Sequence, residues 1–189
     1  ELASQVDSYL VQFRKELIAH NTSGVTLHGY SEDSFLADCE CPRFGTGEGK
    51  GQYKESIRGV DLYIMVDVCN YSITYKVCGY ENHMSPDDHY QDLKRMISAA
   101  TGKAHRINVI MPFLYESRQH RRSKRESLDC ALALEELVNM GVSNIITFDA
   151  HDPRVQNSIP LSGFDNFMPT YQFLKTLTSS VEDFHMDND

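Results

Sequence analysis

Three short apolar runs constrain this chain more than any other feature: DLYIMVDV (61–68), INVIMPF (107–113) and NIITFD (144–149). Each is too short for a typical helix and rich in β-branched residues, as expected of strands buried in a parallel sheet. Helical patterns separate them. Ser85-Pro86-Asp87-Asp88 reads as a helix start, with Ser as N-cap, Pro at the first position and acids facing the helix dipole. Leu93, Met96, Ile97 and Ala100 supply its buried stripe, and Gly102 ends it. Ser127 is predicted to cap the next helix, with Leu128, Ala131, Leu132, Leu134, Leu137 and Val138 facing inward and Gly141 as its stop. Strand, helix, strand, helix, strand is the order of an α/β domain with a mostly parallel central sheet flanked by helices.

The flanks are less regular. Val6, Tyr9, Leu10, Phe13 and Leu17 recur at helical spacing and predict an amphipathic first helix over 4–19. Residues 34–57 read as two strands joined by a glycine-rich turn, residues 69–85 show no defensible period, and a last helix is expected from about Pro169 into the acidic end. Nothing marks an internal linker, so residues 1–189 read as one domain.

In sheets of this kind functional groups collect in loops outside the carboxyl ends of the strands. Two such loops stand out. Arg118, Arg121, Arg122, Lys124 and Arg125 follow the second run, in a chain whose formal charge is −9. That balance repels phosphates globally, so an anion site has to be made locally. The cluster could present guanidinium forks to a polyphosphate. A solvated charged loop is the competing reading. A nucleic-acid patch would want interleaved aromatic residues, and 117–125 has none. The second loop, DAHDPR (149–154), offers Asp149 and His151, a carboxylate and an imidazole able to hold magnesium if phosphate and water complete the shell. A turn Asp beside an exposed His is the plainer alternative.

Other features carry less. GTGEGKG (45–51) fails as a phosphate-binding loop, because Lys50 is followed by Gly51 rather than Ser or Thr and no helix pattern follows. Among the five cysteines, Cys39 and Cys41 make only a C-x-C pair with no second pair for zinc, which fits reduced thiols in a cytoplasmic protein. His83, Asp87, Asp88 and His89 could be imagined as a metal cluster, but helix-start chemistry explains the two Asp better. No apolar run approaches a membrane span.

Taken together, KESIRGVDLYIM, INVIMPFLYESRQHRRSKRES and NIITFDAHDPRVQNSIP resemble, over residues 44–175, the amino-terminal half of ribose-phosphate pyrophosphokinase, and the chain looks like a divergent bacterial member. The resemblance implies a phosphoribosyltransferase-type (Rossmann-like) fold. It also implies transfer of the β,γ-diphosphoryl group of ATP to ribose 5-phosphate with release of AMP, in a symmetric homo-oligomer. Carried over by motif, Arg118 and Gln119 would hold ATP, and His151 with Asp149 would sit at its Mg2+. Phe44 and Glu48 would reach the adenine of a neighbouring subunit's ATP. Ser56 and Arg58 match a segment used for phosphate or ADP regulation. The chain departs from the pattern at Thr46 and His120, where the family usually has Asp, and over 157–166, which aligns poorly with the family's second acidic pair and leaves Asp165 as no more than a candidate for it. The family's ribose-phosphate segment, two consecutive acids before a Thr- and Gly-rich loop, has no counterpart here. The chain therefore reads as an ATP-binding domain not expected to complete the reaction alone. A non-catalytic regulatory homologue is the alternative, and a nucleic-acid-binding module a more distant one.

Overall fold

The computed structural model describes residues 2–20 and 32–181. Its order is α1 (Leu2–His20), β1 (Cys39–Glu40), β2 (Gln52–Tyr53), β3 (Asp61–Met65), β4 (Thr74–Val77), β5 (Tyr80–His83), α2 (Pro86–Ala100), β6 (Arg106–Met111), α3 (Asp129–Asn139), β7 (Val142–Phe148), a 3-10 turn (Pro153–Ser158), β8 (Gly163–Phe167) and α4 (Thr170–Ser180). β3, β6, β7 and β8 form one parallel sheet in that spatial order. This is the expected α/β architecture, with one strand more than the three apolar runs show.

Each strand joins its neighbour on the same side, and parallel crossovers are right-handed, so successive connections are laid onto one face of the sheet. That face is the core. Ile107, Val109, Met111 and Ile145 meet Leu93 and Ile97 of α2 and Leu134 and Leu137 of α3, all no more than 5% exposed. The opposite face leaves Tyr63 58%, Phe148 44% and Phe167 53% exposed.

α2 begins as its sequence predicts. The Ser85 hydroxyl accepts from the Asp88 N–H at 3.2 Å, and the Asp88 carboxylate accepts from the Ser85 N–H at 2.9 Å, a complete capping box. Asp87 and Asp88 both lie in the first turn, whereas His89 places Nε2 2.7 Å from the Asn70 carbonyl and His83 places Nδ1 2.8 Å from the Tyr71 carbonyl, tying the preceding stretch together. α3 differs from expectation. Ser127 does not cap it: the helix starts at Asp129, and the Ser127 hydroxyl donates to the Asp129 carboxylate at 2.7 Å. Its buried side chains are Cys130, Ala133, Leu134 and Leu137, while Leu132 is 64% exposed. A run of alternating Ala and Leu offers two overlapping helical stripes, and tertiary packing selects the one containing Cys130 and Ala133.

The stretch 69–85 contains the antiparallel hairpin β4–β5, turning on Cys78 (φ 50°) and Gly79 (φ 89°). Positive φ at both central residues is the type I′ signature, and Tyr75 and Val77 supply the more buried side of β4. β1 and β2 pair antiparallel, as expected of 34–57. Two glycines of their turn have identifiable reasons: Gly47 has φ 91°, and a Cβ on Gly51 would lie 2.6 Å from the Arg95 backbone of α2. The Gly45 carbonyl accepts from the Cys78 N–H at 2.8 Å and ties this turn to the hairpin.

α1 forms, but its apolar stripe is open. Only Val11 and Arg14 are buried, with the Arg14 guanidinium donating to the Glu32 carbonyl, whereas Tyr9 is 68% and Phe13 48% exposed. α4 buries nothing, and the acidic end at 182–189 expected to extend it lies outside the described residues.

Two predictions follow from the sheet and its core. Leu134→Ala, emptying a site 1% exposed, is expected to lower unfolding stability by about 3 kcal/mol in urea titration; a loss below about 1 kcal/mol would contradict the core described. At the start of β3, the Arg106 guanidinium and then His105 hold the Asp61 carboxyl down to about 2. A depressed carboxyl stabilises the fold above its unfolded value near 3.8, and this contribution is lost as pH falls toward 2. Asp61→Asn should therefore show a shallower fall in Tm between those pH values; an unchanged slope would refute the pairing.

Candidate functional site: the cleft between the β6 and β7 loops

Parallel pairing sets Met111 opposite Thr147, so the chain leaves β6 and β7 side by side at their carboxyl ends. There Phe113, Leu114, Ser117 and Arg118 face Phe148, Asp149, Ala150 and His151 across a cleft of about 280 Å³. Arg118, Asp149 and His151, taken from two separate segments of sequence, thus share one site.

The β7 loop is tightly fixed. Asp149 adopts φ 47°, a left-handed conformation uncommon for a non-glycine residue, and Glu116 across the cleft adopts φ 55°. Three consecutive backbone N–H groups are committed within the protein: Asp149 donates to the Phe167 carbonyl at 3.0 Å, Ala150 to Asn166 Oδ1 at 3.0 Å, and His151 to Ser117 Oγ at 3.1 Å. Asp152 then caps the 3-10 turn, accepting from the Arg154 N–H at 2.9 Å and from its guanidinium at 2.6 Å. Those bonds, the guanidinium's first, hold the Asp152 carboxyl well below the usual carboxylate range. His120 lies behind the loop, its Nε2 3.5 Å from Asp152 and its ring edge-on to His151 at 5.1 Å. His120 Nδ1 is buried with no hydrogen-bond partner.

The base of the β6 loop is anchored and its tip is exposed. Tyr115 stacks on Tyr90 at 4.3 Å and donates to Asp87 of α2 at 2.7 Å, while burial pushes its hydroxyl pKa up. At the tip, the Glu126 carboxylate accepts from the Ser123 N–H at 2.8 Å and from its hydroxyl at 2.7 Å. Arg118, Arg121, Arg122, Lys124 and Arg125 are exposed, and none makes an ion pair with an acid within 4.0 Å among the described residues. Their charge remains available to an anion. Gln119 is half-buried and held through its backbone, donating to Glu116 and accepting from Cys130, and it does not line the cleft.

The other sequence-derived candidates lie elsewhere. Phe44 and Glu48 sit on the β1–β2 turn, Phe44 57% exposed and Glu48 accepting from the Thr46 hydroxyl at 3.0 Å. Ser56 and Arg58 line a second cleft of about 370 Å³ with Gln52, Tyr53 and Lys103. Asp165 on β8 accepts from the Asn144 amide at 2.6 Å and stays out of the first cleft. Among the described residues no group of three or more His, Cys, Asp or Glu side chains is placed to hold a metal ion. Asp149 and His151 would therefore supply only part of a shell, which fits a magnesium ion that keeps its waters and takes its remaining ligands from phosphate. The sequence reading overlooked Ser117 and Asn166, the side chains that fix the β7 loop, because a lone Ser or Asn carries no spacing signal.

Residues 1–141 match the family described as the N-terminal domain of ribose phosphate pyrophosphokinase. The chain belongs to that family. It is 27% identical over 155 residues to ribose-phosphate pyrophosphokinase of Oceanobacillus iheyensis, a match covering 81% of this chain and 43% of that protein. A putative ribose-phosphate pyrophosphokinase 2 of Streptococcus pneumoniae is 33% identical over 137 residues, 70% of this chain and 38% of that one. The crystal structure of phosphoribosylpyrophosphate synthetase from Mycobacterium smegmatis shares the fold, with a TM-score of 0.65 at 20% identity over 78% of this chain and 45% of that chain. The chain thus spans less than half the length of these relatives. The matched residues include Arg118 and the β6 loop; the β7 loop at 149–152 lies just beyond them.

Tyr115→Phe removes the anchor between the β6 loop and α2, with an expected cost of about 1 kcal/mol in chemical denaturation. Unchanged stability would show that this hydrogen bond contributes nothing to holding the loop.

Proposed function

We propose that this chain is the ATP-binding half of a ribose-phosphate diphosphokinase, which transfers the β,γ-diphosphoryl group of ATP to ribose 5-phosphate. The observation that carries the reading is the convergence of Arg118, Asp149 and His151 on one cleft at the ends of adjacent parallel strands. Diphosphoryl transfer asks chiefly for charge neutralisation and in-line positioning. Arg118 offers a guanidinium for a phosphate, with the exposed cations of the same loop adding to the local positive field. Asp149 and His151 would hold Mg2+ on the phosphates, where the ion supplies charge neutralisation. Gln119 supports the nucleotide loop through its backbone bonds rather than from the cleft wall.

Phe44 and Glu48, on a turn apart from this cleft, are assigned to a neighbouring subunit's nucleotide in a homo-oligomer. Ser56 and Arg58, with Lys103 in the second cleft, are assigned to a regulatory phosphate or ADP. The ribose 5-phosphate site belongs, on this reading, to the portion of the relatives that the chain does not span, so this chain alone is not expected to turn over. All five cysteines are free, in keeping with a cytoplasmic setting, and no described helix is long and apolar enough to cross a membrane. His120, a basic ring beside the β7 loop where the family has Asp, favours a second reading, a non-catalytic regulatory homologue.

Calorimetric titration with ATP separates these readings. Magnesium-dependent binding, weakened about tenfold or more by Arg118→Ala, is the expected result. Binding indifferent to both magnesium and Arg118 would overturn the proposal, and no binding by a folded, assembled oligomer would favour the regulatory reading.

A further inference from the structure

The proposed nucleotide cleft is built from two loops that share no secondary structure, so something must hold their side chains at a fixed spacing. The described residues show a direct polar link between them. Ser117 is 5% exposed, immediately precedes Arg118, and accepts the His151 N–H through its hydroxyl at 3.1 Å. Its own N–H donates to the Leu114 carbonyl at 3.2 Å, which folds the β6 loop back over the strand end. The preceding N–H of the β7 loop, that of Ala150, is held from the far side by Asn166 at 3.0 Å. The β7 loop is thus gripped between a hydroxyl from β6 and an amide from β8. With these three amides committed inside the protein, the loop cannot offer them to a phosphate, which makes the aim of its side chains decisive.

We propose that Ser117 is a positioning residue for the nucleotide site: its hydroxyl sets the distance and orientation of Asp149 and His151 relative to Arg118. This rests on the nucleotide reading above. A part-buried hydrogen bond of this kind is sensitive to loss of one partner, because the His151 N–H would be left unpaired or the loop would shift to re-pair it. In either case the side chains on the two walls lose their register, and groups that act together lose their joint effect.

The test uses the 189-residue chain with Mg2+ and ATP as probes. Ser117→Ala, and Ser117→Cys as a near-isosteric variant with a weak acceptor, are each titrated by calorimetry in the parent and in a His151→Ala background. In parallel, amide hydrogen exchange follows the His151 N–H without ligand. The expected result is faster exchange at His151 in both variants and about tenfold weaker Mg-ATP binding in the parent background. That loss should be smaller when His151 is already Ala, because the part Ser117 exerts through the His151 side chain is then gone and only the part through Asp149 remains. An equal loss in both backgrounds would make Ser117 merely structural and overturn the proposal. Unchanged exchange together with unchanged binding would also overturn it. If Arg118→Ala and His151→Ala themselves leave Mg-ATP binding untouched, the nucleotide reading fails first, a result separable from failure of the Ser117 link alone.

Discussion

The parallel pairing of β6 with β7 is the constraint on which the rest of the site depends. Val109 opposite Ile145 and Met111 opposite Thr147 fix where the two strands end, and all four side chains are fully buried. In a parallel ladder a slip of one residue turns every side chain to the other face, so the apolar run itself specifies the register. Once it is fixed, Arg118 and His151 are neighbours although they are far apart in sequence. The helices contribute indirectly. α2 and α3 seal the core face, and the Tyr115–Asp87 bond ties the start of the basic loop to the first turn of α2.

The site also separates its charge in space. The basic side chains that follow β6 are left to solvent, while several acids are engaged within the protein: Asp88 by the capping box, Asp152 by Arg154, and Glu126 by the loop tip it braces. A chain of formal charge −9 can therefore show local positive potential at one strand end. His120 extends this arrangement, placing an imidazole against Asp152 and His151.

Much of this was legible in the sequence because periodicity and capping are local signals. The three apolar runs, the Ser85 cap and the Gly102 and Gly141 stops each report their own element. The basic loop and the Asp149–His151 pair could be placed at strand ends from the order of elements alone. What could not be read depends on packing. β8, GFDNF, is a partly exposed strand at the sheet edge with two polar residues, so it lacks an apolar run. The β4–β5 hairpin hides its alternation among exposed polar residues, with only Gly79 to mark its turn. The face that α3 buries is chosen by its contacts, since Ala131, Leu132, Ala133 and Leu134 satisfy two stripes equally well. The Ser117–His151 bond joins residues 34 apart and has no sequence signature.

We propose that the β6 and β7 loops form one nucleotide-binding cleft. Mapping backbone amide NMR shifts during titration with Mg2+ and ATP tests it most directly. Perturbations concentrated at 113–118 and 148–151 together are the predicted result. Shifts confined to the second cleft around Ser56 and Arg58, or to only one of the two loops, would contradict it.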